Sequence, residues 1–185
     1  MDIKKQIQDF VPFNEQEEKD KEYFLKFIDT FDDVLTRDNL FGHFSASAFV
    51  VNKDKTKTLV VYHIINDGWI YPGGHADGEA DLLSVAIREV EEETGLKAKV
   101  LDENIFAIQA APVKGHVKRG KYVPAHIHYD VLYLVEADDT QELSFREDES
   151  KGVKWISLQD ATNSEIVDWV RPVNKKIIEK IEGLK

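Results

Sequence analysis

Residues 73–96 read GGHADGEADLLSVAIREVEEETGL, a glycine-rich stretch running into a segment loaded with carboxylates. A helix is expected from Asp81 to Thr94, because apolar residues recur at helical spacing there and Gly95 can adopt the left-handed conformation that ends a helix. Counting ~100° per residue from Leu82, the residues Ala86, Val90, Leu83 and Ile87 fall between about 40° and 140°. On the same wheel Arg88, Glu92, Glu89 and Glu93 fall at roughly 240°, 280°, 340° and 20°. One face should therefore pack on a core while the other gathers acids. Like charges three or four residues apart cost a helix a few tenths of a kcal/mol per pair, so the cluster calls for a compensating cation. A hard ion such as Mg²⁺ or Mn²⁺ suits it, since such ions prefer carboxylate and water oxygens and bridge protein acids to phosphates.

An acidic run alone would be a solvated surface, but this one has company at fixed spacing. Gly74, Arg88, Glu89, Val90, Glu92, Glu93, Gly95 and Leu96 match the pattern Gly, five residues, Glu, seven residues, Arg-Glu-apolar-any-Glu-Glu-any-Gly-apolar. This pattern resembles the signature of the Nudix hydrolase family. The resemblance extends to Trp-Ile-Tyr-Pro-Gly-Gly before the helix and Val-Lys-Trp-Ile-Ser-Leu late in the chain, and spans roughly residues 42 to 162. One position departs from it: the signature's first glutamate falls at Ala80, with Asp77, Glu79 and Asp81 close by. Any of the three is a candidate to take over that role, and Asp81 reads equally well as a helix cap.

The resemblance implies an α/β fold, an α/β/α sandwich with a mixed β-sheet and the motif as a loop-helix-loop at the sheet edge. It also implies hydrolysis of a diphosphate linkage in a nucleoside diphosphate joined to another moiety. Glu89, Glu92 and Glu93, with the backbone carbonyl of Gly73, are then the expected ligands of Mg²⁺ or Mn²⁺. Arg88 completes the catalytic set, lying i,i+4 from Glu92 where a guanidinium fork suits the carboxylate. Gly74, His126, His128 and Glu149 are assigned to the substrate side. His126, His128 and Asp130 share one face of a strand at period two, so the two imidazoles are candidates for contacting phosphate or a second metal. Glu147, Asp148 and Glu149 are loop candidates for a general base, and Lys114, His116, Lys118, Arg119 and Lys121 supply local positive charge.

Before the motif, Asn14 and Glu17 are spaced like a capping pair, and Phe24, Phe27, Ile28, Phe31 and Leu35 follow at helical intervals. This predicts an amphipathic helix over 14–35 within an N-terminal extension, residues 1–41, whose apolar face covers the core or a second copy of the chain. Around and after the motif, FSASAFVV, TLVVYHII, IFAIQA, HIHYDVLYLV and GVKWISL read as strands. Two late helices are expected around 164–170 and 173–182, separated by Pro172, in a C-terminal segment from residue 163 onward.

The 185 residues carry 24 Lys+Arg against 35 Asp+Glu, a net charge of -11, which argues against nucleic-acid and membrane-surface partners and means that the small nucleotide-like substrate implied by the resemblance would need local cations to shield its phosphates. Cysteine is absent, which excludes thiolate metal sites and cysteine nucleophiles, and with them an isopentenyl-diphosphate isomerase or a zinc-ribbon pyrophosphatase. The N-terminal MDIKKQIQDF lacks the apolar run of a secretory signal, so a cytoplasmic location is the default expectation. The competing function is a nucleotide-sensing module that keeps the fold and not the chemistry. Intact Glu89, Glu92 and Glu93 count against it.

Overall fold

The computed structural model describes residues 2–118, 120–147 and 150–184. In chain order its elements are α1 (Ile3–Asp9), α2 (Glu15–Thr30), β1 (Gly42–Val51), β2 (Lys57–His63), β3 (Gly68–Ile70), β4 (Gly73–His75), α3 (Leu82–Thr94), β5 (Lys99–Val100), β6 (Ala107–Val113), β7 (His116–Lys118), β8 (Lys121–Val123), β9 (His126–Glu136), β10 (Ser150–Ser157) and α4 (Val170–Gly183). A short 3₁₀ turn, Asp160–Thr162, lies before α4.

The sheet runs β10-β2-β1-β9-β5, with β3 on β2, β4 on β1 and β6 on β9. β1 and β9 pair in parallel from Gly42↔Ile127 to Val51↔Glu136, while the other pairings are antiparallel, so the sheet is mixed as expected. Alternation along these two strands makes the layers. Phe44, Ala46, Ala48 and Val50 of β1, with Tyr129, Val131, Tyr133 and Val135 of β9, face a core closed by α1, α2 and α3. Phe49 and Val51, with Leu132 and Leu134, face the other way, into a core closed by α4. Helices thus cover both faces, the α/β/α arrangement. No helix among the described residues is long and apolar enough to cross a membrane.

α2 starts where the capping pair predicts, its Asn14 side chain accepting from the Glu17 amide. Its Phe24 and Phe27 are buried against Phe44 and Tyr129, the Phe27 and Tyr129 rings stacked 3.9 Å apart. The helix stops at Thr30, short of the expected Leu35. Asp33 accounts for this: its carboxylate takes the amides of Leu35 and Thr36, both at 3.0 Å, into a side-chain-capped turn that competes with the helix.

Glu17 does more than cap. It is fully buried, and its carboxylate takes the Lys176 ammonium of α4 at 2.9 Å and the Phe13 amide at 2.9 Å. The late pair of helices is corrected to one. Residues 164–169 are not helical: Ile166 forms a bridge to Trp69, and the Val167 amide donates to the Trp69 carbonyl. Pro172 lies inside the first turn of α4, where its missing N–H breaks no intrahelical bond.

Candidate active site

β4 and α3 form a hairpin of strand and helix that places the motif. β4 pairs antiparallel with β1, Ser47↔Gly73, Ala46↔Gly74 and Ser45↔His75. The chain then turns through Asp77 and Gly78, both at positive φ, and enters α3 at Asp81. The Asp81 carboxylate caps the helix by accepting from the Ser84 amide at 3.2 Å and the Ser84 hydroxyl at 2.9 Å, which lowers its pKa below the ordinary carboxylate value. Gly95 ends the helix in the left-handed conformation, φ 73°.

The packed face of α3 is displaced from the expected one. Its buried residues are Leu82, Val85, Ala86, Val90, Glu93 and Thr94, so Glu93 sits in the middle of the core stripe rather than with the solvated acids. The turn that carries it is covered by β4, and its carboxylate accepts from the Gly73 amide at 2.9 Å. Glu89 lies against the next residue: a Cβ on Gly74 would sit 2.5 and 2.7 Å from the two Glu89 carboxyl oxygens. Two adjacent glycines thus give two glutamates access to bare backbone. Glu92 is the exposed member, flanked by Arg88 at 3.8 Å and by Arg146 of the loop before β10 at 3.4 Å. The Arg88 guanidinium is also 3.9 Å from Glu89.

The acids around Ala80 already have partners. Asp77 receives two hydrogen bonds of 2.6 Å from Arg37, Glu79 accepts from the Asp81 amide at 2.8 Å, and Asp81 is the cap. Ala80 itself packs at the edge of the core. Glu147 is in an exposed turn, and Asp148 and Glu149 lie outside the described residues, as does Arg119. Lys121 belongs to the β7–β8 hairpin, which forms a small sheet of its own.

His126, His128 and Asp130 do lie on one face of β9. Asp130 is buried and accepts from the Ser45 and Ser47 hydroxyls, both at 2.8 Å, and from Tyr71 at 3.4 Å. Burial raises its pKa to about 6 against those hydrogen bonds, and burial likewise raises that of Tyr71. The Nε2 atoms of His126 and His128 are 3.1 Å apart, and the two rings meet His43 and His75. The sequence pattern does not single out His43 or His75. Each is a lone histidine there, and only strand pairing brings them beside β9.

Strand alternation places this histidine group on the opposite face of β4 from Glu89, since Gly74 faces α3 and His75 does not. A shallow apolar groove of about 530 Å³, bounded by Leu40, Phe41, Pro112, Pro124 and His126, adjoins it.

A sequence profile of the NUDIX domain matches residues 42–180. The chain belongs to the Nudix hydrolase family. Among its relatives, the RNA pyrophosphohydrolase of Pelagibacter ubique is 30% identical over 141 residues, covering 73% of this chain and 88% of that one. A probable DHNTP pyrophosphohydrolase of Lactococcus lactis is 33% identical over 101 residues, 52% of this chain and 55% of that protein. Among solved structures, a Nudix-family hydrolase from Clostridium perfringens superposes with a TM-score of 0.54 at 23% identity, covering 75% of this chain and 97% of that chain, a likeness of fold. The mixed sheet, the layers and the glycine loop leading into α3 are therefore those of a Nudix domain.

Proposed function

We propose that this Nudix pyrophosphohydrolase cleaves a diphosphate linkage in a nucleoside diphosphate joined to another moiety, with Mg²⁺ or Mn²⁺ held by Glu89, Glu92, Glu93 and the Gly73 carbonyl. The observation that carries it is the contact of Glu93 and Glu89 with the consecutive glycines of β4. This donor set fits the ion: carboxylate and carbonyl oxygens, with no nitrogen or sulfur ligand, are what a hard divalent cation selects. Bound ions of this kind supply charge neutralisation on phosphoryl oxygens and a water made nucleophilic at neutral pH.

The chain's own residues set the geometry. Burial and the Gly73 amide fix the Glu93 carboxylate in one orientation, which removes rotamer entropy that an exposed glutamate would lose on ligation. Arg88 and Arg146 flank Glu92 and hold its charge at the mouth of the site, while leaving it accessible. Gly74, having no Cβ, lets the Glu89 carboxylate lie directly against the β4 backbone beside Gly73.

The experiment is a substrate panel in Mg²⁺: dinucleoside polyphosphates, ADP-ribose and other sugar nucleotides, oxidised nucleoside triphosphates, dihydroneopterin triphosphate and an RNA with a 5′-triphosphate. The last two follow the relatives' names. We expect release of a monophosphate, phosphate or pyrophosphate product that carries solvent oxygen when the water is ¹⁸O-labelled. Tight nucleotide binding with no turnover on any member would favour the sensing module instead. Full turnover in excess chelator would remove the metal from the reading.

A further inference from the structure

Four of the chain's six histidines meet at one point, although they come from three different strands. β4, β1 and β9 are neighbours in the sheet, with His43 directly opposite His128, and His75 opposite Ser45. The His43 ring centre is 5.1 Å from that of His75, 5.0 Å from His126 and 4.9 Å from His128, so His43 is the hub. One ring nitrogen from each of His43, His75 and His128 can be chosen so that all three lie within 4.8 Å of one another. Among the described residues no other three metal-binding side chains converge in this way.

Hydrophobic packing does not explain the hub. His43 is 4% exposed, and neither of its ring nitrogens has a hydrogen-bond partner among the described residues. The Asn39 backbone favours the protonated ring but stands outside hydrogen-bonding geometry. A buried imidazole N–H and lone pair left unmatched cost about 1–3 kcal/mol. An ion at the centre would use the lone pair and leave the other nitrogen to the Asn39 carbonyl. His126 already shows such an outer contact: its Nδ1 is 2.8 Å from the Pro124 carbonyl, which fixes the N–H there and turns Nε2 as a lone pair toward His128.

We propose that His43, His75 and His128, with His126 in the fourth position, bind one divalent transition-metal ion of the zinc class. Imidazole nitrogens without carboxylate select Zn²⁺ and its neighbours over Mg²⁺, and four neutral rings satisfy a tetrahedral ion with Zn–N bonds of about 2.0–2.1 Å. Burial, together with repulsion from neighbouring rings, keeps His43 and His128 deprotonated, the form that ligates. The ion would tie β4, and so the Gly73-Gly74 backbone, to β1 and β9 from the face opposite the acidic helix. This site does not rest on the hydrolase reading, because none of the motif glutamates belongs to it.

The test is titration of the metal-free, full-length protein with Zn²⁺, and separately with Co²⁺, in excess Mg²⁺ to occupy the carboxylates. We expect one tightly held equivalent, a rise in melting temperature and, for Co²⁺, the visible absorption of a tetrahedral nitrogen site. His75→Gln and His126→Gln should each weaken Zn²⁺ binding by about tenfold or more, while Glu92→Gln leaves it unchanged. His126 is half-buried at the first position of β9, away from the Gly73-Gly74 loop, so its substitution tests the site independently if His75→Gln disturbs the fold. Absence of stoichiometric binding at micromolar Zn²⁺, equal affinity in His126→Gln, or loss of binding in Glu92→Gln would each overturn the assignment.

Discussion

The amide of Gly73 donates a 2.9 Å hydrogen bond to the carboxylate of Glu93, fastening the last turn of α3 to the strand that precedes it. Glu93 is therefore both a proposed metal ligand and part of the packing, whereas Glu92, one residue earlier and also a proposed ligand, is exposed and takes no part in the packing.

That difference separates two substitutions. Glu92→Gln removes loose ion pairs with Arg88 and Arg146 and should change stability by less than about 0.5 kcal/mol. Glu93→Gln keeps an acceptor for the Gly73 amide but buries an extra NH₂ group, and should cost about 1–2 kcal/mol. Turnover in Mg²⁺ should fall by orders of magnitude in both. Urea unfolding beside steady-state kinetics measures the two effects, and parental turnover in both variants would show these acids to be idle in catalysis.

Gly74→Ala places a methyl group where the Glu89 carboxylate now lies. The end of a glutamate can swing aside, so the fold should survive at a cost of about 1–3 kcal/mol. Displacing Glu89 should cost activity out of proportion to that loss. Kinetics on the folded variant across Mg²⁺ concentrations decide it: an unchanged kcat with an unchanged Mg²⁺ requirement would mean that the position of Glu89 is immaterial.

Asp81→Ala removes the cap of α3 and should destabilise the protein by about 1 kcal/mol. Its hydrogen bonds to Ser84 lower the Asp81 pKa, so the charged cap's contribution is complete above the ordinary carboxylate pKa and is lost as pH falls through the lowered one. The stability gap between parent and variant should shrink in acid. Asp81→Asn, a neutral cap, should show a smaller gap that narrows over the same pH range, because the titrating group is the parent's.

Glu17→Gln leaves the Lys176 ammonium buried with its main counter-charge gone. Burial already lowers the Lys176 pKa, opposed chiefly by Glu17. Removing one member of a buried pair costs about 3–5 kcal/mol, and replacing both by apolar residues of similar volume recovers much of it. Glu17→Gln should unfold early and the double variant Glu17→Leu/Lys176→Met should not. Equal melting points for the parent and Glu17→Gln would refute the pairing.

Local rules made much of this legible. The strands, the Asp81 cap, the Gly95 stop and the carboxylate spacing follow from backbone propensity and side-chain period, which a sequence displays directly. What was illegible depended on neighbours far along the chain. A helical wheel places Glu93 among the solvated acids because it does not show that β4 covers the last turn. Glu17 read as half of a capping pair, yet its charge belongs to α4. His43 and His75 carry no signal alone, and their meeting with His128 follows from strand order in the sheet. Residues 164–169 had helical periodicity but were taken by pairing with Trp69.

The glycine loop is held partly from outside the span that the family profile recognises. The Leu35 carbonyl accepts from the Gly78 amide at 3.2 Å, Arg37 grips Asp77, and the Val34 carbonyl accepts from the Phe44 amide at 2.8 Å, all three from the segment before residue 42. A second Nudix chain identical to this one throughout 42–180 would thus inherit the reactive groups without the tether that shapes their approach. Swapping residues 34–41 between relatives is then a way to retune the loop while every motif position stays the same.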